Sequence, residues 1–319
     1  MTIGAYRARR YSGMVPHMTD APAVAASRQV RWSQRLAIGL LFAFALANLW
    51  LQMGTWGFED VGAYWEAAFR LRDGLPLYGG PGDPDSYRVF RYAPWFAYLW
   101  VPLTYLPRQA AEIIWATGLG AASLAVLWAL VRLRTAATLA LALVLLPWFL
   151  SLVQVGNVQP LVVAMLAFGI SRRSGPLWIA LAASIKAVPI LYLLIYAARR
   201  EWARIGIALA ATALLVFPVL LNGATGYTTD PGRSFSLYYY VSPVAWAVAG
   251  GAATALAAWL AWRRSPFVWV ATSVAVMLVA PRAHPTYATF LVVGLLSGAR
   301  DRIGRRTIGH TSGADAPQG

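Results

Sequence analysis

Of the 27 lysines and arginines in this chain only one is a lysine, and it stands inside an apolar stretch, LAASIKAVPILYLL, residues 181–194. An ammonium there needs water or an anion, so Lys186 is a candidate for holding a negatively charged ligand. Other polar residues interrupt apolar sequence in the same abrupt way. Glu59 and Asp60 follow the first apolar run. Asn157 and Gln159 sit in VQVGNVQP, residues 153–160. Arg88 and Arg91 precede a Pro-flanked aromatic segment. Arg282, His284 and Tyr287 fall within APRAHPTY, residues 280–287. A carboxylate can take a proton, amides can bond hydroxyl groups, and fixed cations can stabilise a growing anion.

Each residue alone has a plainer reading. Asp60 suits a helix N-cap. An amide-rich turn at a membrane boundary is usually a satisfied loop. Lys186 could reach the headgroups along its stem. His284 reads as an interfacial histidine, and Arg88 and Arg91 as headgroup contacts. Convergence of all of them on one side of the molecule is what favours a site, so their positions must come from the elements that carry them.

Those elements are membrane helices. The 319 residues are 59% hydrophobic and 12% charged, with mean hydropathy +0.55. Seven runs carry no Asp, Glu, Lys or Arg: Leu36–Met53, Ile113–Val131, Thr135–Val153, Ile205–Leu221, Val241–Trp262, Ser265–Val279 and Pro285–Ala299. At about 1.5 Å per residue most of them can cross a hydrocarbon core of roughly 30 Å. The net charge of +15 does not point to nucleic acid, because the arginines lie in small clusters between apolar runs. No cysteine is present, which excludes disulfides and thiolate metal sites. Residues 1–34 form a polar, Arg-bearing tail. The first apolar run lacks a small-residue cleavage motif and reads as an uncleaved span. Residues 300–319 read as a disordered polar tail.

Arginine clusters at 7–10, 28–35, 132–134, 172–173, 199–204, 263–264 and 300–306 mark cytoplasmic loops. Placing all of them inside gives about ten crossings with both termini cytoplasmic and the domain over 35–299. Residues 174–198 then hold two short helices broken near Pro189, which suits the first turn of a new helix. Irregular backbone at that depth is tolerated only beside protein or a polar cavity. The first outer loop, 57–107, contains an amphipathic helix from Asp60 to Arg72, with Trp65, Ala68 and Phe69 near one face. A second interfacial or re-entrant helix covers Phe96–Leu106. A further outer segment spans 222–240.

These segments resemble glycosyltransferase family 87, the polyprenyl-phosphate-dependent mannosyltransferases and their relatives. EDVGAYWEAAFRLRDGLPLY resembles the family's first outer loop. FRYAPWFAYLWVPLTYLP is similar to its Tyr-Pro-Pro segment, with Ala93 in place of the first proline. VGNVQPLVVAMLAF resembles its Gly-Gln-x-Asn motif with the amides exchanged, and IALAASIKAVPILYLLIYAARREW its lysine segment. APRAHPTYATFLVV is a weaker match to a late His-Tyr segment, in shifted form and without the tryptophan. The likeness runs over about residues 57–290.

The resemblance implies an all-α GT-C architecture in the plasma membrane, with the active site on the outer face and a polyprenyl-phosphate sugar as donor. The sugar would be a hexose such as mannose, or a pentose, and the acceptor a lipid or a glycan. In that setting Asp60 is expected to act as general base, with Glu59 the second candidate, and the anomeric centre to invert. Lys186, Arg282 and His284, backed by Arg88 and Arg91, would bind the donor phosphate. Glu59, Tyr64, Asn157, Gln159 and Tyr287 would contact sugar or acceptor. A divalent cation is possible in that chemistry but not required. A transporter or flippase for an anionic or lipid-linked substrate is the alternative, since broken helices with a buried lysine also describe transporter sites. A structural scaffold would leave Lys186 unexplained.

Overall fold

The computed structural model describes residues 57–78, 89–221 and 236–311, with a few helical positions between 36 and 47, and side chains as far as Asp301. The N-terminal tail, most of the first apolar run, Arg88 and most of the 222–240 segment lie outside the described residues.

The described residues are helical throughout, with no strand. Helix α1, Glu59–Arg72, turns Val61, Ala63, Tyr64, Ala67 and Ala68 inward. Of Trp65, Ala68 and Phe69, expected near one face, Ala68 is buried while Trp65 and Phe69 lie on the flank and are half-buried. Helix α2, Pro94–Trp100, begins with proline at its first position and continues as a 3₁₀ turn, Val101–Tyr105. Its seven residues reach about 10 Å, too short to span a membrane, as expected for Phe96–Leu106.

Two long helices follow. In α3, Arg108–Val131, the chain enters from an extended Pro107; α4, Ala136–Val155, opens on a capping box in which Thr135 and Thr138 satisfy each other's backbone donors. Three short helical pieces come next: α5, Gln159–Gly169; α6, Gly175–Ile185; then a 3₁₀ turn, Val188–Tyr192, leading into α7, Leu193–Ala198. The helix expected to break near Pro189 ends at Ile185, and Lys186 is extended. Helix α8, Trp202–Val216, continues as α9, Pro218–Leu221, and the short α10, Leu237–Tyr240, precedes α11, Pro243–Trp262. Helix α12, Val268–Val279, a 3₁₀ turn, Pro285–Thr289, and α13, Phe290–Thr311, complete the chain. The C-terminal segment expected to be disordered from residue 300 stays helical to Thr311.

Four of these helical stretches are long and apolar enough to cross a membrane: Arg108–Val131, Ala136–Val155, Trp202–Leu221 and Pro243–Trp262. Length therefore does not carry the full ten-crossing reading. The long helices face outward with their apolar side chains. In α8 only Ala208 is buried, while Leu214 and Trp202 are exposed; in α11 Val244, Val248 and Trp262 are exposed. Lipid covers such surfaces. This is an all-α membrane protein.

The shorter helices fill the middle, and polar contacts show where each begins and ends. At one end of the bundle Arg204 donates to the Arg172 carbonyl at 2.9 Å, Arg199 pairs with Asp301 at 2.9 Å, and Arg300 donates to the Ala167 carbonyl. At the opposite end Phe58 N–H donates to the Gln154 carbonyl at 3.3 Å, and Gln159 Nε2 donates to the Thr286 carbonyl at 2.8 Å. Helices α5 and α6, although short, therefore run from end to end alongside the longer α13, and the Arg clusters at 172, 199–204 and 300 share one end. A chain without cysteine makes this testable. Ser171→Cys and Ala187→Cys, both at exposed positions, should react with a membrane-impermeant maleimide from opposite sides, Ala187 in intact cells and Ser171 only after permeabilisation. Labelling of both from one side would refute the alternation.

Candidate active site

The site end of α1 is built on one strained residue. Phe58 adopts φ 42, ψ 43, a left-handed conformation that costs a non-glycine residue roughly 1–2 kcal/mol. It swings the chain so that α1 starts at Glu59, with Asp60 inside the first turn. No side chain caps this helix, so Asp60 is not the N-cap the sequence suggested. Its carboxylate instead accepts from Asn157 Nδ2 at 2.5 Å. Asn157 Oδ1 in turn accepts the Gln159 backbone N–H at 2.9 Å, which fixes which end of the amide faces Asp60.

The turn that presents Asn157 requires glycine. Gly156 ends α4 at φ 75, and a Cβ there would lie 2.3 Å from Val61 Cγ2. Trp115 Nε1 donates to the Gly156 carbonyl at 2.8 Å and holds the turn against α3. Beneath it, Tyr64 packs within 5.0–5.9 Å, centroid to centroid, of Tyr92, Phe96, Trp100 and Trp115. Pairs of this kind contribute about 0.5–1.5 kcal/mol each beyond area burial, and they clamp α1, α2 and α3 together.

Tyr64, expected to touch sugar, is fully enclosed. Its hydroxyl receives the Val158 N–H at 3.4 Å and lies 3.2 Å from the Tyr92 hydroxyl. Tyr92, which keeps some exposure, is the tyrosine that borders the site. Nothing distinguished it in a segment already crowded with aromatics. Burial raises both phenols above their ordinary range; for Tyr64 the proximity of Tyr92 and then Asp60 adds to it, and for Tyr92 that of Asp60 adds to it while the Tyr64 hydrogen bond opposes it, so both stay protonated. Arg91 lies beside Tyr92, near enough to act on its charge.

Gln159 is also reassigned. Its side chain is 1% exposed, and its amide donates to the Thr286 carbonyl at 2.8 Å and to Thr289 Oγ1 at 2.9 Å. It anchors the 3₁₀ turn that follows His284 and has no surface left for a sugar. On that turn His284 Nδ1 faces the Thr286 N–H at 3.5 Å, a long contact that leaves the proton of a neutral ring on Nε2. Burial, then the charge of Lys186, lowers the His284 pKa, so the ring is neutral at pH 7.

Lys186 enters from the break between α6 and the following 3₁₀ turn. Its N–H donates to the Ala182 carbonyl at 2.9 Å, and its Nζ lies 4.9 Å from the centre of the Tyr287 ring. Among the described residues no carboxylate lies within ion-pairing distance of it. Its charge nevertheless reaches Asp60, as does that of Arg282. Asp60, Asn157, Lys186, Arg282, His284, Tyr287 and Tyr92 thus converge, from five separated stretches of sequence. Burial is the main influence on Asp60 and raises its pKa above the ordinary value of 3.8; the Asn157 hydrogen bond, Lys186 and Arg282 oppose it, and Glu59 adds to it. Among the described residues no group of three or more His, Asp or Glu could hold a metal ion.

Residues 90–230 match the model of glycosyltransferase family 87. The matched stretch holds Tyr92, Asn157 and Lys186, while Asp60 and the 280–287 segment lie outside it and are brought to those residues by folding. No curated protein and no solved structure matches the chain.

Two outcomes follow from this geometry. Because folding raises the Asp60 pKa, the native state keeps a proton that the unfolded chain releases, and stability falls as pH rises from 3.8 through the folded value. The penalty is complete above that value. Asp60→Asn should therefore raise the melting temperature at neutral pH and leave it unchanged well below pH 3.8; a lower melting temperature at neutral pH would show that Asp60 is a stabilising partner. Gly156→Ala should lower stability by at least about 1 kcal/mol, from positive φ alone, and more from the Val61 clash, measured by thermal unfolding in detergent.

Proposed function

We propose that this chain, placed in glycosyltransferase family 87 by that match, transfers a hexose or pentose from a polyprenyl-phosphate donor to an acceptor hydroxyl on the outer face of the membrane. The observation that carries the reading is the pairing of a half-buried carboxylate of raised pKa with two nearby cations, one of which has no carboxylate partner. A base works best when its pKa approaches the working pH, and burial moves Asp60 in that direction.

In the proposed reaction the acceptor oxygen attacks the anomeric carbon while its proton passes to Asp60. The bond from that carbon to the phosphate oxygen breaks, its electron pair stays with the phosphate, and the configuration inverts. Negative charge on the leaving polyprenyl phosphate is what Lys186 and Arg282 are placed to stabilise. Neutral His284 adds a hydrogen bond from Nε2. Tyr92 and Tyr287 border the sugar, and Asn157 holds Asp60 in place. Arg91, behind Tyr92, adds to the positive field. Mannose is the sugar the family resemblance favours, and a lipid-linked or glycan acceptor fits a site open to the outer surface.

Purified protein should release polyprenyl phosphate from a polyprenyl-phosphate mannose or pentose donor only when acceptor is present. Asp60→Asn should slow transfer by about 10²-fold or more, the scale of general-base loss, with donor binding retained. Lys186→Met should weaken donor binding and slow transfer together, and Lys186→Arg should restore only part of both, because a planar fork does not replace a compact ammonium. Full transfer by Lys186→Met would remove the lysine from the site. Transport of an intact lipid-linked sugar without bond cleavage would replace the enzyme reading with the transporter one.

A further inference from the structure

Helix α1 has a second polar face. A cavity of about 650 Å³ lies against its outer flank, lined by Glu59, Gly62, Trp65, Glu66, Phe69 and Arg108. At 100° per residue Gly62, Trp65, Glu66 and Phe69 lie on the side of α1 opposite Asp60, while Glu59 lies at its edge, 100° from Asp60. The lining is specific. Trp65 and Phe69 stand 5.3 Å apart, centroid to centroid, and make an aromatic wall. Arg72 backs Phe69 at 3.9 Å from the ring centre. Gly62 keeps the floor low, since a Cβ there would meet nothing nearer than an Arg108 guanidinium nitrogen at 3.7 Å. Arg108 is held by Glu112 at 2.8 Å. Glu59 and Glu66 make no ion pair or hydrogen bond among the described residues and are exposed.

The geometry points to this groove as the seat of a neutral oligosaccharide acceptor, laid along α1 with its reacting end passing Glu59 toward Asp60. Three features select that chemistry. Flat aromatic faces pack against the C–H face of a sugar ring, and carboxylates without partners accept pairs of hydroxyl groups. Two carboxylates against one arginine, itself already paired, disfavour a lipid phosphate. The groove also leads to the reaction centre: from Glu59 to Phe69 it follows the helix for about 15 Å, enough for a short glycan, and the Glu59 charge already acts on Asp60. The inference rests on the glycosyltransferase reading, because it assigns the acceptor of that reaction.

The test separates the two. Mannotriose and arabinotriose are titrated into purified full-length protein in detergent, with binding read by saturation-transfer NMR. At least one trimer should bind the wild type and bind Asp60→Asn equally well. Affinity should fall about tenfold or more in Trp65→Ala, and likewise in Gly62→Leu, which fills the floor of the groove and improves helix propensity, so it should not unfold α1. If neither trimer binds, or if Gly62→Leu binds as the wild type does, the assignment is overturned. Loss of binding in Asp60→Asn would place the sugar in the reaction centre and overturn it too. So would unchanged trimer binding in Trp65→Ala combined with weaker insertion into lipid nanodiscs, the signature of a membrane anchor. Trimer binding that depends on Trp65 and Gly62, in a protein that transfers no sugar from any donor, would keep the groove and reject the transferase reading.

Discussion

A half-buried carboxylate whose one hydrogen-bond partner among the described residues is a neutral amide is the contact on which this end of the molecule is organised. Asp60 can sit opposite Asn157 only if α1 starts where it does, which needs Phe58 in a left-handed conformation. It also needs the α4 turn to pass close to Val61, which only Gly156 allows. Asn157 then serves two masters, donating to Asp60 and accepting from the Gln159 backbone. Gln159 extends the chain of contacts to the 3₁₀ turn after His284. Residues 57–60, 154–159 and 284–289 are therefore one cooperative unit.

The bundle divides its labour by helix length. Long helices such as α3, α8 and α11 present apolar surface to lipid and bury few residues. Short ones such as α5 and α6 end sooner, and backbone and polar side chains of the site sit at their ends. Lys186 is the clearest case. Its N–H closes the last helical hydrogen bond, to Ala182, its own backbone is extended, and Pro189 restarts a helix three residues on. A continuous helix would have buried the same ammonium among apolar neighbours. The break sets it beside the face of Tyr287, which interacts favourably with a cation while leaving it able to meet an anion.

Much of this was legible in the sequence. Isolated polar residues in apolar runs have few places to go in a membrane, so Asp60, Lys186 and His284 stood out by contrast alone. The interruption at Pro189 followed from the residue types, as did the shortness of the helix at residues 94–100. What stayed hidden had physical reasons. Tyr64 and Tyr92 are alike in sequence, and only the packing of Phe96, Trp100 and Trp115 decides which of them is enclosed. Asn157 and Gln159 look equivalent in their motif; their division into carboxylate partner and loop anchor depends on contacts 97 and 127 residues away along the chain. The inward face of α1 was not legible either, because a 14-residue helix with aromatic residues on both flanks has two plausible inward sides. The neighbours that choose between them come from α2, α3 and the Gly156 turn. The count of crossings is equally ambiguous, since helices of 11 residues fall below the usual length for a span yet run from one end of this bundle to the other.

The electrostatic asymmetry of the site explains why its parts cannot satisfy one another. If Lys186 paired directly with Asp60, the ion pair would hold the carboxylate at low pKa and occupy the lysine, leaving a poor base and no free cation. Instead Asp60 takes its close contact from a neutral amide, burial raises its pKa, and Lys186 and Arg282 act on it only through their field. The two charges stay close enough to act on each other without forming an ion pair. An anionic donor would complete the arrangement by supplying the partner that Lys186 lacks. Phosphate binding would also draw positive field away from Asp60 and raise its basicity further, so that occupancy of the donor site and readiness of the base would be coupled through charge alone, without any movement of the backbone.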